Sequence, residues 1–374
     1  MIRIPRQNYL KILKKSKKVD FVYLPKFNDI YKDKKKNLCI PPELSFGIKG
    51  TALAWFKSYL EFRKQSVQVG SASSDPAILK FGVPQGSVLG PILFTLYTTP
   101  LSNIFNTYNI NYHLYADDSQ LYKGSQLNDL HRIKEQNEQC IEDVKIWMDS
   151  NKLKLNNDKT ELIIFKNRHQ IKDHINESIC INDIEIQPSC KIKNLGVIFD
   201  EHLEFDEHCK LLAQAGTRAL GAIVSKLRYN EDIQYETFTR CFNSNVNPVT
   251  DYGSEVWGYR KESCTDTIQL KAIRSYLGVH KHAPNLAILG DMGWTPSIIR
   301  RKLNLLRYWN RLIKLEDHRL TKHVFISDYH NEATWCKNVK NIFHELEMSD
   351  LYESLSICDH DVCSKLLMEN YCTH

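Results

Sequence analysis

Two adjacent aspartates, Asp117 and Asp118, interrupt an apolar and aromatic run, "NYHLYADDSQLY", at residues 111–122. Such a run reads as strand, and buried unpaired charge there is expensive. Neighbouring strand residues point to opposite faces, so both acids reach one site only if a tight turn separates two strands. Carboxylates at a hairpin tip are hard oxygen donors that suit Mg²⁺, which keeps waters and takes phosphate oxygens as its other ligands. Two such ions about 4 Å apart activate a hydroxyl and stabilise a leaving pyrophosphate. On the dipeptide alone, an exposed Asp-Asp turn with no ligand, common in any hairpin, is the favoured reading.

The elements that would hold these acids follow from hydrophobic spacing. "GTALAWFKSYLEF" predicts a helix with Ala52, Trp55, Phe56, Tyr59 and Leu60 on one broad face. "QSVQVG" and "AILKFGV" alternate as strands, and "GVPQGSVLGPILFTLY" is a Gly-punctuated loop entering a helix with Pro91 near its start. Residues 126–149 predict a helix with Leu127, Leu130, Ile133, Cys140, Ile141, Val144 and Met148 inward. "TELIIF", "ICINDIEIQ" and "KIKNLGVIFD" are short strands. From about Phe205 the pattern turns helical, with Leu211, Leu212, Ala215, Leu220, Ile223 and Leu227 on one face and Lys210, Arg218, Lys226 and Arg228 around it.

The order of these blocks resembles the reverse transcriptases of non-LTR (LINE-type) retrotransposons. "GIKGTALAWFKSYLEFRKQSVQVG", "FGVPQGSVLGPILFTLY", "YADD", "WMDSNKLKLNNDKTELIIF", "KNLGVIFD" and "YGSEVWG" carry the likeness, over roughly residues 46–312. The resemblance implies an α+β fold: a partial right-hand polymerase palm with a small antiparallel sheet, then a helical thumb and a mostly helical C-terminal region. It implies a palm at 47–200, a thumb-like region at 201–245 and a post-polymerase region at 246–374. Asp117 and Asp118 would be metal ligands, with Mg²⁺ or Mn²⁺ as the ion. Tyr115 and Ala116 would receive the primer end. Gly86 would leave room near the nucleotide, flanked by Gln85 and Ser87; for the latter two a plain loop with helix capping by Ser87 stays open. Lys159 matches the lysine of the family's fourth palm motif and would protonate pyrophosphate; a surface lysine is the alternative. Leu195–Val197 resembles the hairpin that grips the primer, and equally fits plain core. The implied partners are an RNA template and a DNA primer.

The family's third carboxylate, in an Asp-x-x-x-Ala-Phe-Asp block upstream, has no counterpart. Asp20, Asp29 and Asp33 are the aspartates nearby. A fingers subdomain has none either: residues 1–46 are lysine-crowded at 14–18 and 32–36, close on Pro41-Pro42, and read as basic and poorly ordered. The expectation is an N-terminally truncated polymerase with impaired chemistry and an exposed palm edge prone to association. Two readings stay open: an RNA-directed DNA polymerase, alone or with a complementing chain, and a non-catalytic remnant that at most binds nucleic acid.

Composition narrows the class. The chain has 374 residues, 42% hydrophobic and 25% charged, with a net charge of +6 that permits a nucleic-acid partner without demanding one. Eleven cysteines at irregular spacing, with no signal-peptide pattern, read as reduced intracellular thiols in nucleus or cytoplasm. No run approaches a membrane span of about 20 apolar residues. Cys358, Cys363, Cys372 and His374 have the types for Zn²⁺ but poor spacing, and read as free thiols.

Overall fold

The computed structural model describes residues 18–28, 47–79, 86–126, 129–165, 178–181, 183–227, 233–260 and 264–373. Helices mix with small antiparallel sheets, so the fold is α+β. The chain divides into two compact units, one holding Asp20–Ile164 with His174–Ser189, the other built mainly of Cys190–His374. No described helix is long and apolar enough to cross a membrane.

In the first unit a four-stranded sheet runs, in spatial order, Asn111–Tyr115, Asp118–Gln126, Lys18–Asn28 and Lys154–Phe165. The first two strands are an antiparallel hairpin in register from Asn111↔Tyr122 to Tyr115↔Asp118. Lys18–Asn28 falls in the segment expected to be poorly ordered, and it is instead an interior strand of this sheet. The expected gap beside the hairpin is therefore filled.

Helix Leu130–Ser150 covers the sheet because its apolar residues recur at i, i+3, i+4 and i+7. Leu130, Ile133, Cys140, Ile141, Val144 and Met148 are all buried, as expected; Leu127 lies outside the described residues. Polar links tie the helix to its neighbours: Tyr108 donates to Asp143 (2.6 Å), Lys123 to Gln136 (3.0 Å), and the Cys180 amide to Glu138 (2.8 Å). The Asp143 bond pushes the Tyr108 phenol up to about 12. Helix Gly90–Thr98 begins with Pro91, where a missing N–H leaves no bond unmade, and it buries Leu93 and Thr98.

Helix Gly50–Leu60 departs from expectation. Its one buried residue is Leu53. Ala52 is exposed and Trp55 is 49% exposed, so the face predicted to point inward is largely uncovered. The following ribbons, Lys64–Gln65 with Ala77–Ile78 and Gln68–Val69 with Ala72–Ser73, are exposed at every residue.

The second unit opens with the hairpin Lys191–Asn194/Val197–Asp200. The Asp200 carboxylate accepts from the amides of His202 (3.1 Å), Glu204 (2.9 Å) and Phe205 (2.7 Å), and this fixes the entry into helix Asp206–Leu227. That helix buries Leu212 and Leu220, with Ala215 and Ile223 half-buried. Leu211, expected inward, is 44% exposed: two consecutive leucines do not share one narrow stripe, and Leu212 takes the inner place. Helices Asp206–Leu227, Tyr235–Asn245, Asp266–Leu277 and Asn285–Met292 pack around Phe238, Phe242 and Trp294, whose rings stack at 4.5–5.8 Å.

Three indoles are fully buried, and each donates to a backbone carbonyl: Trp257 to Tyr252 (2.9 Å), Trp309 to Ser356 (3.0 Å) and Trp335 to Glu255 (2.9 Å). Among them sits Arg301, whose side chain is 0% exposed. Its guanidinium forks onto Asp266, donates to the Arg260 carbonyl (3.4 Å) and lies 5.7 Å from the Trp257 ring centre. Ser297 completes the cluster with a hydrogen bond to Asp266.

Candidate functional site

The acids sit where the alternation placed them. Pairing of Tyr115 with Asp118 leaves Ala116 and Asp117 as a two-residue turn. Ala116 has φ +51°, while Asp117 is not left-handed; positive φ at the first position alone is what a type II′ turn requires. The turn projects Asp117 into solvent and leaves Asp118 half-buried at the start of its strand. Tyr115 is half-buried and Ala116, whose side chain is a methyl group, is exposed. Behind the tip, Ser119, Gln120 and Leu121 are buried. Burial also lowers the His113 pKa below its ordinary value.

The loop before helix Gly90–Thr98 is described from Gly86. Gly86 has φ +78°, open space where a Cβ would stand, and an exposed backbone. Glycine adopts that conformation without the strain a side chain would add. Ser87 is half-buried. Its Oγ hydrogen-bonds the Tyr59 hydroxyl and accepts from the Leu89 amide (3.3 Å). The Leu89 bond belongs to the turn before the helix, whose N-cap is Leu89 with no side-chain capping bond; the tie to helix Gly50–Leu60 has no sequence signal. Gln85 lies outside the described residues.

Lys159 is exposed on Lys154–Phe165. That strand is separated from Asp118–Gln126 by Lys18–Asn28, a lateral offset of about 10 Å at normal strand spacing. One sheet and its hairpin turn thus carry Asp117, Asp118, Tyr115, Ala116 and Lys159. The strand bearing Asp20 lies between them.

A divalent ion suits the donor set at the tip. Carboxylates such as those of Asp117 and Asp118 are hard oxygen donors, which such an ion takes together with waters and phosphate oxygens. Among the described residues no group of three or more His, Cys, Asp or Glu side chains converges on a metal position. That includes the tail, where Cys358 and Cys363 are buried and Cys372 is exposed; His374 lies outside the described residues. Cys363 donates to the Cys358 sulfur, which lowers the Cys358 pKa.

Leu195 and Gly196 form the turn of the 191–200 hairpin with φ of +46° and +82°. Val197 is fully buried. Tyr252 donates to the Leu195 carbonyl (2.8 Å) and its ring would stand 3.0 Å from a Cβ on Gly196. A glycine is therefore required for shape as well as for φ. On helix Asp206–Leu227, Lys210 is paired with Glu207 at 2.8 Å, while Arg218 and Lys226 are exposed; Arg228 lies outside the described residues.

Residues 38–199 match the model of the reverse transcriptase (RNA-dependent DNA polymerase) family, and the likeness to LINE-type reverse transcriptases read from the motifs is borne out there. Among the relatives is "Probable RNA-directed DNA polymerase from transposon BS" of Drosophila melanogaster, 27% identical over 220 residues, which covers 57% of this chain and 24% of that protein. "Probable RNA-directed DNA polymerase from transposon X-element" of the same species is 26% identical over 272 residues, 70% of this chain and 28% of its own length. "RNA-directed DNA polymerase from mobile element jockey", again from Drosophila melanogaster, is 24% identical over 258 residues, 67% of this chain and 26% of its own length. This chain spans about a quarter of the length of these relatives.

Proposed function

We propose that this chain is the palm and thumb of an RNA-directed DNA polymerase that holds a primer–template and whose nucleotidyl transfer is disabled. The observation that carries the reading is the hairpin with its two-residue Ala116–Asp117 turn, set in a sheet with Lys159 two strands away. Asp117 and Asp118 hold the divalent ion, Mg²⁺ or Mn²⁺. When bound, the ion neutralises triphosphate oxygens and acidifies the primer hydroxyl. Tyr115 and Ala116 seat the primer end, and Gly86 lets the nucleotide approach backbone beside Gln85 and Ser87. Lys159 is the proton donor for pyrophosphate. The 191–200 hairpin grips the primer, and Arg218 and Lys226 lie along the duplex backbone, where cations release condensed counterions. A site with two carboxylates alone would lose in-line placement of the attacking and leaving oxygens, and orientation is worth roughly 7–11 kcal/mol in such chemistry.

Strand Lys18–Asn28, next to the hairpin strand, supports a second reading in which Asp20 is the third ligand and the polymerase is competent. Primer extension on an RNA template with deoxynucleotides and Mg²⁺ or Mn²⁺ separates the two. No extension, with duplex affinity unchanged in Asp117→Ala and steeply salt-dependent, supports the disabled palm. Extension abolished by both Asp117→Ala and Asp20→Ala establishes the second reading and ends the first.

A further inference from the structure

Helix Gly50–Leu60 presents an aromatic stripe at core spacing that is half-buried at Phe56 and Tyr59 and exposed at Trp55. Trp55 and Tyr59, one turn apart, stack with ring centres 5.4 Å apart and planes 11° from parallel. Phe56 meets Trp55 edge-on at 5.3 Å and braces it. Trp55 is nevertheless 49% exposed, and Phe62, just past the helix end, is 91% exposed at φ +56°. Bulky residues rarely hold a positive φ, and such strain concentrates at ligand sites.

Two further features give this surface a direction and a charge. The Tyr59 hydroxyl is bonded to Ser87 Oγ, so the ring stack is continuous with the loop assigned above to the template and nucleotide side. Residues 47–65 carry Lys49, Lys57, Arg63 and Lys64 against one acid, Glu61, and Lys49, Lys57 and Lys64 are exposed. Flat exposed rings among cations are what single-stranded nucleic acid requires. Its bases stack on aromatic faces whatever their sequence, and its phosphates follow the positive charge.

We propose that the Trp55–Tyr59 stack is a base-stacking platform for single-stranded nucleic acid, which it leads towards Ser87. The position of the platform upstream of the site rests on the polymerase reading; the stacking itself does not. A neighbouring run of exposed aliphatic side chains, Val67, Val69 and Ile78, makes a protein contact the competing occupant.

Fluorescence anisotropy of the full chain with a labelled single-stranded RNA, a single-stranded DNA of the same sequence and a blunt duplex tests this. Trp55→Ala weakens both single strands by roughly 5- to 150-fold, the span of one base–aromatic stack. Trp55→Phe retains most of the affinity, because a stackable ring remains. Neither variant changes duplex binding, and both melt with the wild type, since Trp55 is half-exposed. Equal single-strand affinity in wild type and Trp55→Ala overturns the proposal. So does a change confined to self-association, measured by sedimentation, because the face then meets a second copy of the chain. Loss of one single-strand arm alone identifies RNA or DNA as the occupant. If the chain neither extends primers nor binds duplex yet needs Trp55 for single strands, the platform stands while the polymerase reading falls.

Discussion

Asp266→Asn should cost the C-terminal unit about 3 kcal/mol. The Arg301 side chain is 0% exposed and its principal partner is the Asp266 carboxylate. The asparagine keeps the shape of the aspartate and deletes its charge, so the guanidinium stays buried with a carbonyl at 3.4 Å and the Trp257 face for company. Removing one member of a buried pair costs about 3–5 kcal/mol. The Asp266 side chain is 28% exposed, and water at that edge places the value at the lower end. At about 2 kcal/mol per molar of urea, a typical slope, the midpoint of the transition should fall by roughly 1.5 M. Urea unfolding followed by tryptophan fluorescence reads this, since Trp257 lies against the guanidinium. The double variant Asp266→Asn/Arg301→Met should unfold no earlier than Asp266→Asn, because an apolar replacement of a buried pair is often neutral or stabilising. A shift below about 0.5 M for the single variant, or a double variant less stable than the single, would refute the assignment of Arg301 as a charge held by Asp266.

Ala116→Gly should stabilise the hairpin by about 0.5–1 kcal/mol, as relief of a left-handed alanine outweighs the added freedom of glycine. A thermal melt that moves up by a few degrees agrees with this, and a lower melting point speaks against a strained turn. His113 should make the first unit acid-sensitive. Burial holds its folded pKa below the ordinary value, so the unfolded chain binds the extra proton first, and stability falls as pH drops below about 6.5. His113→Gln should flatten that slope between pH 7 and the lowered pKa; an unchanged slope removes His113 as the cause.

How far the fold could be read depended on whether its determinants are local. The hairpin was legible because strand alternation brackets two acids that tolerate only a turn. Helix Leu130–Ser150 was legible because its apolar period is long and regular. In strand Lys18–Asn28 the run "FVYL" reads as a plausible strand, but its length and its place in the sheet were not legible: a proline and flanking lysines surround the run, and its neighbours in the sheet lie far along the chain. The apolar face of helix Gly50–Leu60 was visible in the spacing, but spacing does not say what covers a face. The Tyr59–Ser87 bond joins residues 28 positions apart and leaves no local mark. In the site, the acids and Gly86 carry signatures of turn geometry, whereas the offset of Lys159 depends on a strand inserted between distant segments.

The interior place of Lys18–Asn28 also sets a timetable for synthesis. This strand leaves the ribosome before both strands that pair with it, Asp118–Gln126 and Lys154–Phe165, which follow after about a hundred residues or more. At roughly 5–20 residues per second, the wait is on the order of 10 s. Throughout it, an apolar strand with both edges bare is open to pairing with other chains. Closure of the sheet then has to overcome the entropy of long loops, which makes such topologies slow. The yield of folded protein should therefore depend more on translation speed and on chaperones that shield Lys18–Asn28 than on the stability of the finished sheet.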